Sequence, residues 1–351
     1  MGIAQKQWGV ARDGTPVDLF TLTAASGMEA SIASYGGVVV RLTAPDRKGV
    51  MADVTLGYPS LDGYLDDQCF FGCLVGRVAN RIANARFFLD GREHRLDQNH
   101  GSHHLHGGGR GFHSRVWRVE SVTDGVEPEL VLMYASLDGE QGYPGNLEAR
   151  VMYTLTEDGL RLDFSATTDR LTVVNMTNHS YFNLSGQPGS DCLGHVLTLP
   201  AHRYIETDRE LIPTGRLAEV DGTPLDFTDG VSMGSRIEAN FPALCIGQGY
   251  DHFFVLDDDS EGVKLAASVH EPVSGRGMEV WTANPGVQFY CGNHIPERMA
   301  GKDGAVYGRR FGFCLEAQGF VDAPNRAGFP SVALEPGAVY RQSIMYKFFV
   351  K

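Results

Sequence analysis

An all-β fold, a sandwich of mostly antiparallel strands with few short helices, is predicted by three observations. Apolar residues alternate with polar ones at period two in several stretches, two-residue turn signals separate those stretches, and long helical periodicity is missing. The 43 glycines and 16 prolines among 351 residues exceed the usual share of ~12%, which is the punctuation that many short strands need.

Taken in chain order, a short helix is expected near residues 60–67, and a hairpin over residues 85–96 turns at Asp90-Gly91. The clearest alternation is in residues 159–166. Leu160, Leu162, Phe164 and Ala166 share one face of a strand, and Arg161, Asp163 and Ser165 share the other. Residues 151–156 just before it are β-prone, and Asp158-Gly159 closes the hairpin between them. A second short helix is expected near residues 231–240. Residues 263–269 and 278–282 form another antiparallel pair across a glycine-containing turn, and residues 344–350 read as a last strand. No linker, charge run or fixed-period repeat divides the chain, so residues 1–351 are read as one domain.

The net charge of -13 repels phosphate backbones and anionic membrane surfaces, which argues against nucleic-acid and membrane partners and leaves a neutral ligand unaffected. With no run of about 18 apolar residues and no apolar stretch in its first residues, the chain is read as soluble and cytoplasmic. The six cysteines (Cys69, Cys73, Cys192, Cys245, Cys291 and Cys314) are read as buried thiols; Cys69 and Cys73 have neither redox nor zinc spacing.

Five segments carry polar residues that a plain β-fold does not require. They are residues 76–82, 102–108, 175–183, 249–253 and 314–318. His100, His103, His104 and His106 invite a metal reading. No HExxH helix or zinc spacing supports it, and a solvated loop in which one histidine matters is the expectation. A phosphate loop and a serine-nucleophile elbow both lack their motifs, and Ser180 beside His179 would point to the opposite face of a strand. Glu316 lies in an otherwise apolar run, where a carboxylate needs a partner or a purpose; a buried salt bridge and a catalytic role both fit. His179 lies in a segment crowded with hydrogen-bonding side chains, as either sugar recognition or a polar turn would be.

The ordered set GRVANRI, LHGG, TNHSYFNL, GYDHFF, PGVQFY and FCLEAQ resembles the aldose 1-epimerase, or galactose mutarotase, family from about Tyr35 to the C-terminus. The resemblance implies a β-supersandwich with an open sugar cleft. It matches the family's catalytic acid to His179 and its base to Glu316, and its sugar-binding positions to Asn80, Arg81, His106, Tyr181, Asp251 and Gln288. Arg77 is assigned a structural role. Asn284 and the segment after Gln318 depart from the family pattern, which bears on substrate preference.

Anomer exchange opens a cyclic hemiacetal, so the C1 hydroxyl must lose a proton while the ring oxygen gains one. The implied pair would do this with no cofactor and no metal: ionised Glu316 as base, and His179 held as imidazolium by a nearby carboxylate such as Glu316 or Asp251. The expected partner is a free aldose, the chain acting as monomer or homodimer. The alternatives are a hexose-6-phosphate 1-epimerase, which would need a basic pocket, and a sugar-binding protein without catalysis.

Overall fold

The computed structural model describes residues 1–187, 189–257 and 262–351. Alternation builds its largest sheet. In Gly159–Thr168 the side chains of Leu160, Leu162, Phe164 and Ala166 are buried, while Arg161, Asp163 and Ser165 are partly exposed. This strand pairs antiparallel with Leu147–Leu155 on one side and with the C-terminal strand Tyr340–Val350 on the other. The sheet has nine strands. Beyond Leu147–Leu155 lie Glu129–Ser136 and Arg118–Thr123, and beyond Tyr340–Val350 lie Arg276–Thr282, Lys264–His270, Val196–Thr198 and Val231–Ser232.

A five-stranded antiparallel sheet runs in the order Pro213–Glu219, Arg203–Thr207, Asp251–Val255, Gly286–Tyr290 and Cys314–Gln318. Period-two geometry sorts its residues. Leu315, Ala317, Val287 and Phe289 enter the core shared with Leu162, Tyr346 and Val280 of the large sheet. Cys314, Glu316 and Gln318 therefore project from the other face, where Glu316 pairs with Gln288 and Cys314 with Tyr290 across the strands. A second five-stranded sheet, Gly2–Val10 through Met51–Asp53, adds Phe20, Ile32 and Leu42 to the same core.

The Asp90-Gly91 turn forms as expected. Both residues have positive φ (49° and 70°), joining Arg86–Leu89 to Arg92–Arg95. Leu61–Leu65 is the first predicted short helix. The second lies further along than predicted. Residues 231–240 give the strand Val231–Ser232 and a 3₁₀ turn, Met233–Ser235, and the helix is Pro242–Gly247. Pro242 opens it because proline's fixed φ suits a first helical turn and its missing N–H is not needed there. Among the described residues no helix is long and apolar enough to cross a membrane. All six cysteines are unpaired, and Cys245, expected to be buried, is exposed.

Candidate active site

The outward face of Asp251–Val255, Gly286–Tyr290 and Cys314–Gln318 forms the floor of a cavity of about 520 Å³, within the usual range of a small-molecule site. Glu316 and His179 meet there. Glu316 is held by its strand, while His179 lies on a segment pinned against residues 72–75. Its N–H donates to the Cys73 carbonyl at 2.9 Å, and its carbonyl accepts from Gly72 at 3.0 Å. The Asn178 carboxamide donates to the Gly72 carbonyl at 2.9 Å and locks the same turn. Ser180 turns away and donates to Asn178 Oδ1, so it forms no pair with His179.

His179 Nε2 lies 3.6 Å from Glu316 Oε1, with both side chains almost fully buried. The imidazole is stacked between Tyr181 (centroids 5.1 Å apart, planes 23°) and Phe70 (5.9 Å, 24°). Burial pushes the Glu316 carboxyl well above its ordinary range; the Asp251 charge adds to the shift and Arg81 opposes it. Burial likewise lowers His179 to about 4, against a backbone hydrogen bond and the charge of Asp251. This corrects the expected imidazolium: burial drives Glu316 itself toward its neutral form, so it does not hold a charge on its neighbour.

Arg81 and Asp251 face one another across the cavity, NH2 to Oδ2 at 3.9 Å. Asn80 orders the arginine. Its Oδ1 accepts from the Arg81 backbone N–H at 2.9 Å and from NH1 at 3.3 Å. His106 Nδ1 accepts the Asn80 backbone N–H at 3.3 Å, so neutral His106 carries its hydrogen on Nε2 as a donor. Burial, then the charges of His179 and Arg81, keep His106 well below its ordinary value.

Of the predicted residues, Asn80, Arg81, His106, His179, Tyr181, Asp251 and Glu316 all line the cavity, and Gln288 does not. Gln288 stands behind, donating from Nε2 to Asp251 Oδ1 at 2.6 Å. Tyr181 offers its ring rather than its hydroxyl, which donates to the Cys69 carbonyl at 2.8 Å. Arg77 is structural, as predicted. Its guanidinium donates to the Ser136, Leu137 and Pro144 carbonyls at 2.9–3.0 Å. The histidine segment is less solvated than expected, because His103, His104 and His106 are buried and the rings of His103 and His104 bind Asn84 N–H, the Asp97 carbonyl and Tyr143. Phe70, His113 and Tyr290 complete the cavity wall; the sequence offered no sign of Phe70, an aromatic residue in an apolar run.

His106, His179 and Glu316 place one ligand atom each within 4.8 Å of one another, yet the set is a poor metal site. The Asn80 N–H occupies His106 Nδ1, and metal binding at Nε2 would force a proton onto Nδ1 against that donor. What the site offers instead is proton exchange. A carboxyl and an imidazole lie side by side, and among the described residues Glu316 Oε2 and Arg81 Nε are buried without a hydrogen-bond partner.

The family model described as Aldose 1-epimerase matches residues 18–347. The chain is 42% identical to a galactose mutarotase of Rattus norvegicus over 96% of this chain and 95% of that one. It is 35% identical to an aldose 1-epimerase of Escherichia coli strain K12 over 97% of each. Among solved structures, an aldose epimerase homologue from C. elegans superposes with a TM-score of 0.86 at 29% identity, covering 95% of this chain and 98% of that one. A galactose 1-epimerase from Lactobacillus acidophilus superposes with a TM-score of 0.85 at 26% identity, covering 99% and 98%. The β-supersandwich expected from the motifs is the fold these structures share.

Proposed function

The chain belongs to the aldose 1-epimerase family, and on that premise we propose that it interconverts the α and β anomers of free aldoses with Glu316 as base and His179 as acid. The observation that carries this division of roles is a buried carboxyl 3.6 Å from a buried imidazole, with no lysine or arginine in salt-bridge contact with it among the described residues.

The proton count explains how a neutral pair does acid–base work. Protonated Glu316 with neutral His179 holds as many protons as ionised Glu316 with imidazolium; the two forms differ by one transfer. When a sugar hydroxyl donates to the carboxylate, the ionised form is favoured. Glu316 then takes the C1 hydroxyl proton, the imidazolium gives its Nε2 proton to the ring oxygen, and the bond from C1 to that oxygen breaks. This returns the pair to its neutral form, the form that burial favours, while the sugar is an open aldehyde. Rotation about C1–C2 and the reverse transfers close the other anomer. Asp251 accepts from sugar hydroxyls, Arg81 and His106 donate, and Tyr181 supplies an apolar wall.

A phosphorylated substrate is disfavoured, because the cavity's Arg81 faces Asp251 and Arg77 is bound to backbone carbonyls. The six unpaired cysteines support a reducing, cytoplasmic setting. Polarimetry of freshly dissolved α-D-glucose and α-D-galactose tests the roles. Glu316→Gln and His179→Asn should each lower kcat by about 10²- to 10⁴-fold while leaving KM nearly unchanged. Near-normal turnover in either variant would remove that residue from the chemistry.

A further inference from the structure

His179 has two ring nitrogens, and the structure gives each a different neighbour. Nε2 faces Glu316 Oε1 at 3.6 Å, and Nδ1 faces Cys314 Sγ at 3.5 Å. The two neighbours come from one strand. Cys314 and Glu316 are two positions apart in Cys314–Gln318, so alternation projects both from the same face and lets one imidazole touch each with a different nitrogen. The ring is not free to turn over, because Tyr181 and Phe70 stack against it and the Tyr181 hydroxyl is anchored on the Cys69 carbonyl. Cys314 is fully buried, and burial pushes its thiol well above its ordinary value. At neutral pH the sulfur is therefore an uncharged S–H, able to accept a hydrogen bond weakly.

We propose that Cys314 is a positioning residue whose Sγ accepts the hydrogen of His179 Nδ1, so that Nε2 is the nitrogen that exchanges a proton with the sugar. The proposal rests on the assignment of His179 as the acid and adds what fixes its tautomer. The protons balance without the thiol gaining or losing one. The imidazolium loses its Nε2 hydrogen to the ring oxygen, the Nδ1 hydrogen stays between nitrogen and sulfur, and ring closure returns the proton to Nε2. A neutral sulfur suits this acid. A carboxylate at the same place would fix the tautomer too, but its charge would stabilise the imidazolium and make it a poorer donor to the weakly basic ring oxygen.

Nitrogen-15 NMR of the histidine-labelled full chain at pH 7 tests this, with the His179 resonances identified by their loss in His179→Asn. Expected is a wild-type ring protonated on Nδ1 and bare on Nε2. Cys314→Val keeps the packing and removes the acceptor; it should mix the two tautomers and lower kcat by about 10-fold or more, as loss of an orienting partner does, with KM within about twofold. Cys314→Ser should restore both the spectrum and most of the rate. A wild-type ring protonated on Nε2 overturns the proposal, whatever the variants do. So does an unchanged tautomer in Cys314→Val, which would place the hold in the backbone hydrogen bond at His179 or in the Glu316 carboxyl facing Nε2. Neither result touches the assignment of His179 as acid, which fails only if His179→Asn keeps its turnover.

Discussion

Arg77 and Arg81 lie four residues apart on one segment, and their surroundings divide them. Arg77 is buried among backbone carbonyls, and burial lowers it to about 10. Arg77→Met would strand those carbonyls and should destabilise the fold by about 3 kcal/mol or more, with KM little changed in the surviving protein. Arg81→Met would remove the proposed donor to the sugar; KM should then rise about 10-fold, the effect of one lost hydrogen bond to a charged group of about 1.4 kcal/mol or more. Thermal melts and steady-state kinetics on both variants check the split, and a reversed pattern would contradict it. At this scale much of the site was legible. A carboxylate at Glu316 in an apolar run and a polar cluster around His179 each called for an explanation, and family motifs supplied the roles. Phe70 and Cys314 were not legible, because an aromatic residue or a thiol in an apolar run looks like core until its contact with His179 is seen. Gln288 pairs with Glu316 across the strands and donates to Asp251, bordering a small adjoining space with Asn80, Arg81 and Asp251, a placement that depends on register.

Among the elements, the loop holding His106 is the most exacting. His106 has a left-handed backbone (φ 50°), and Gly107 follows at φ 84° with no room for a side chain: a Cβ there would lie 1.7 Å from the Gly76 carbonyl oxygen. Gly107→Ala must displace backbone as well as adopt a strained φ, so it should cost about 2 kcal/mol or more and raise KM by misplacing His106. A Tm and KM equal to wild type would show that the loop adjusts freely. Strands were the readable elements, since alternation at residues 159–166 and 344–350 reports burial directly, and Asp90-Gly91 reports its own turn. The helix placed at residues 231–240 shows the limit. Short helices have too few turns for periodicity to locate them, and the informative cue was Pro242.

For the molecule as a whole, burial of histidine sets the response to acid. His104, His113, His179, His195 and His252 are each lowered to about 4, in every case with burial as the largest cause. A depressed folded value means that the unfolded chain binds the proton first, so this contribution to stability is present above about 6.5 and is lost as pH falls toward 4. Each histidine weakens the fold by up to about 1.4 kcal/mol per pH unit across that window. Glu316 and Asp67 act in the opposite sense, because burial raises both and acid relieves their cost; two carboxyls do not offset five histidines. Melting temperature should fall steeply from pH 6.5 to 4.5, and a flat profile would contradict the assignment. The overall charge of -13 argues against a nucleic-acid partner from the sequence alone, whereas the protonation of the resting pair depends on how deeply the completed fold buries His179 and Glu316, which no local stretch of sequence reports. If a paired carboxyl and imidazole open the sugar ring by moving protons between oxygens alone, exchange NMR of 1-¹³C-galactose at anomeric equilibrium in D₂O should show accelerated α–β exchange with no deuterium at C1 or C2, and Glu316→Gln should abolish the acceleration. Deuterium at C2, or exchange no faster than without protein, would rule that chemistry out.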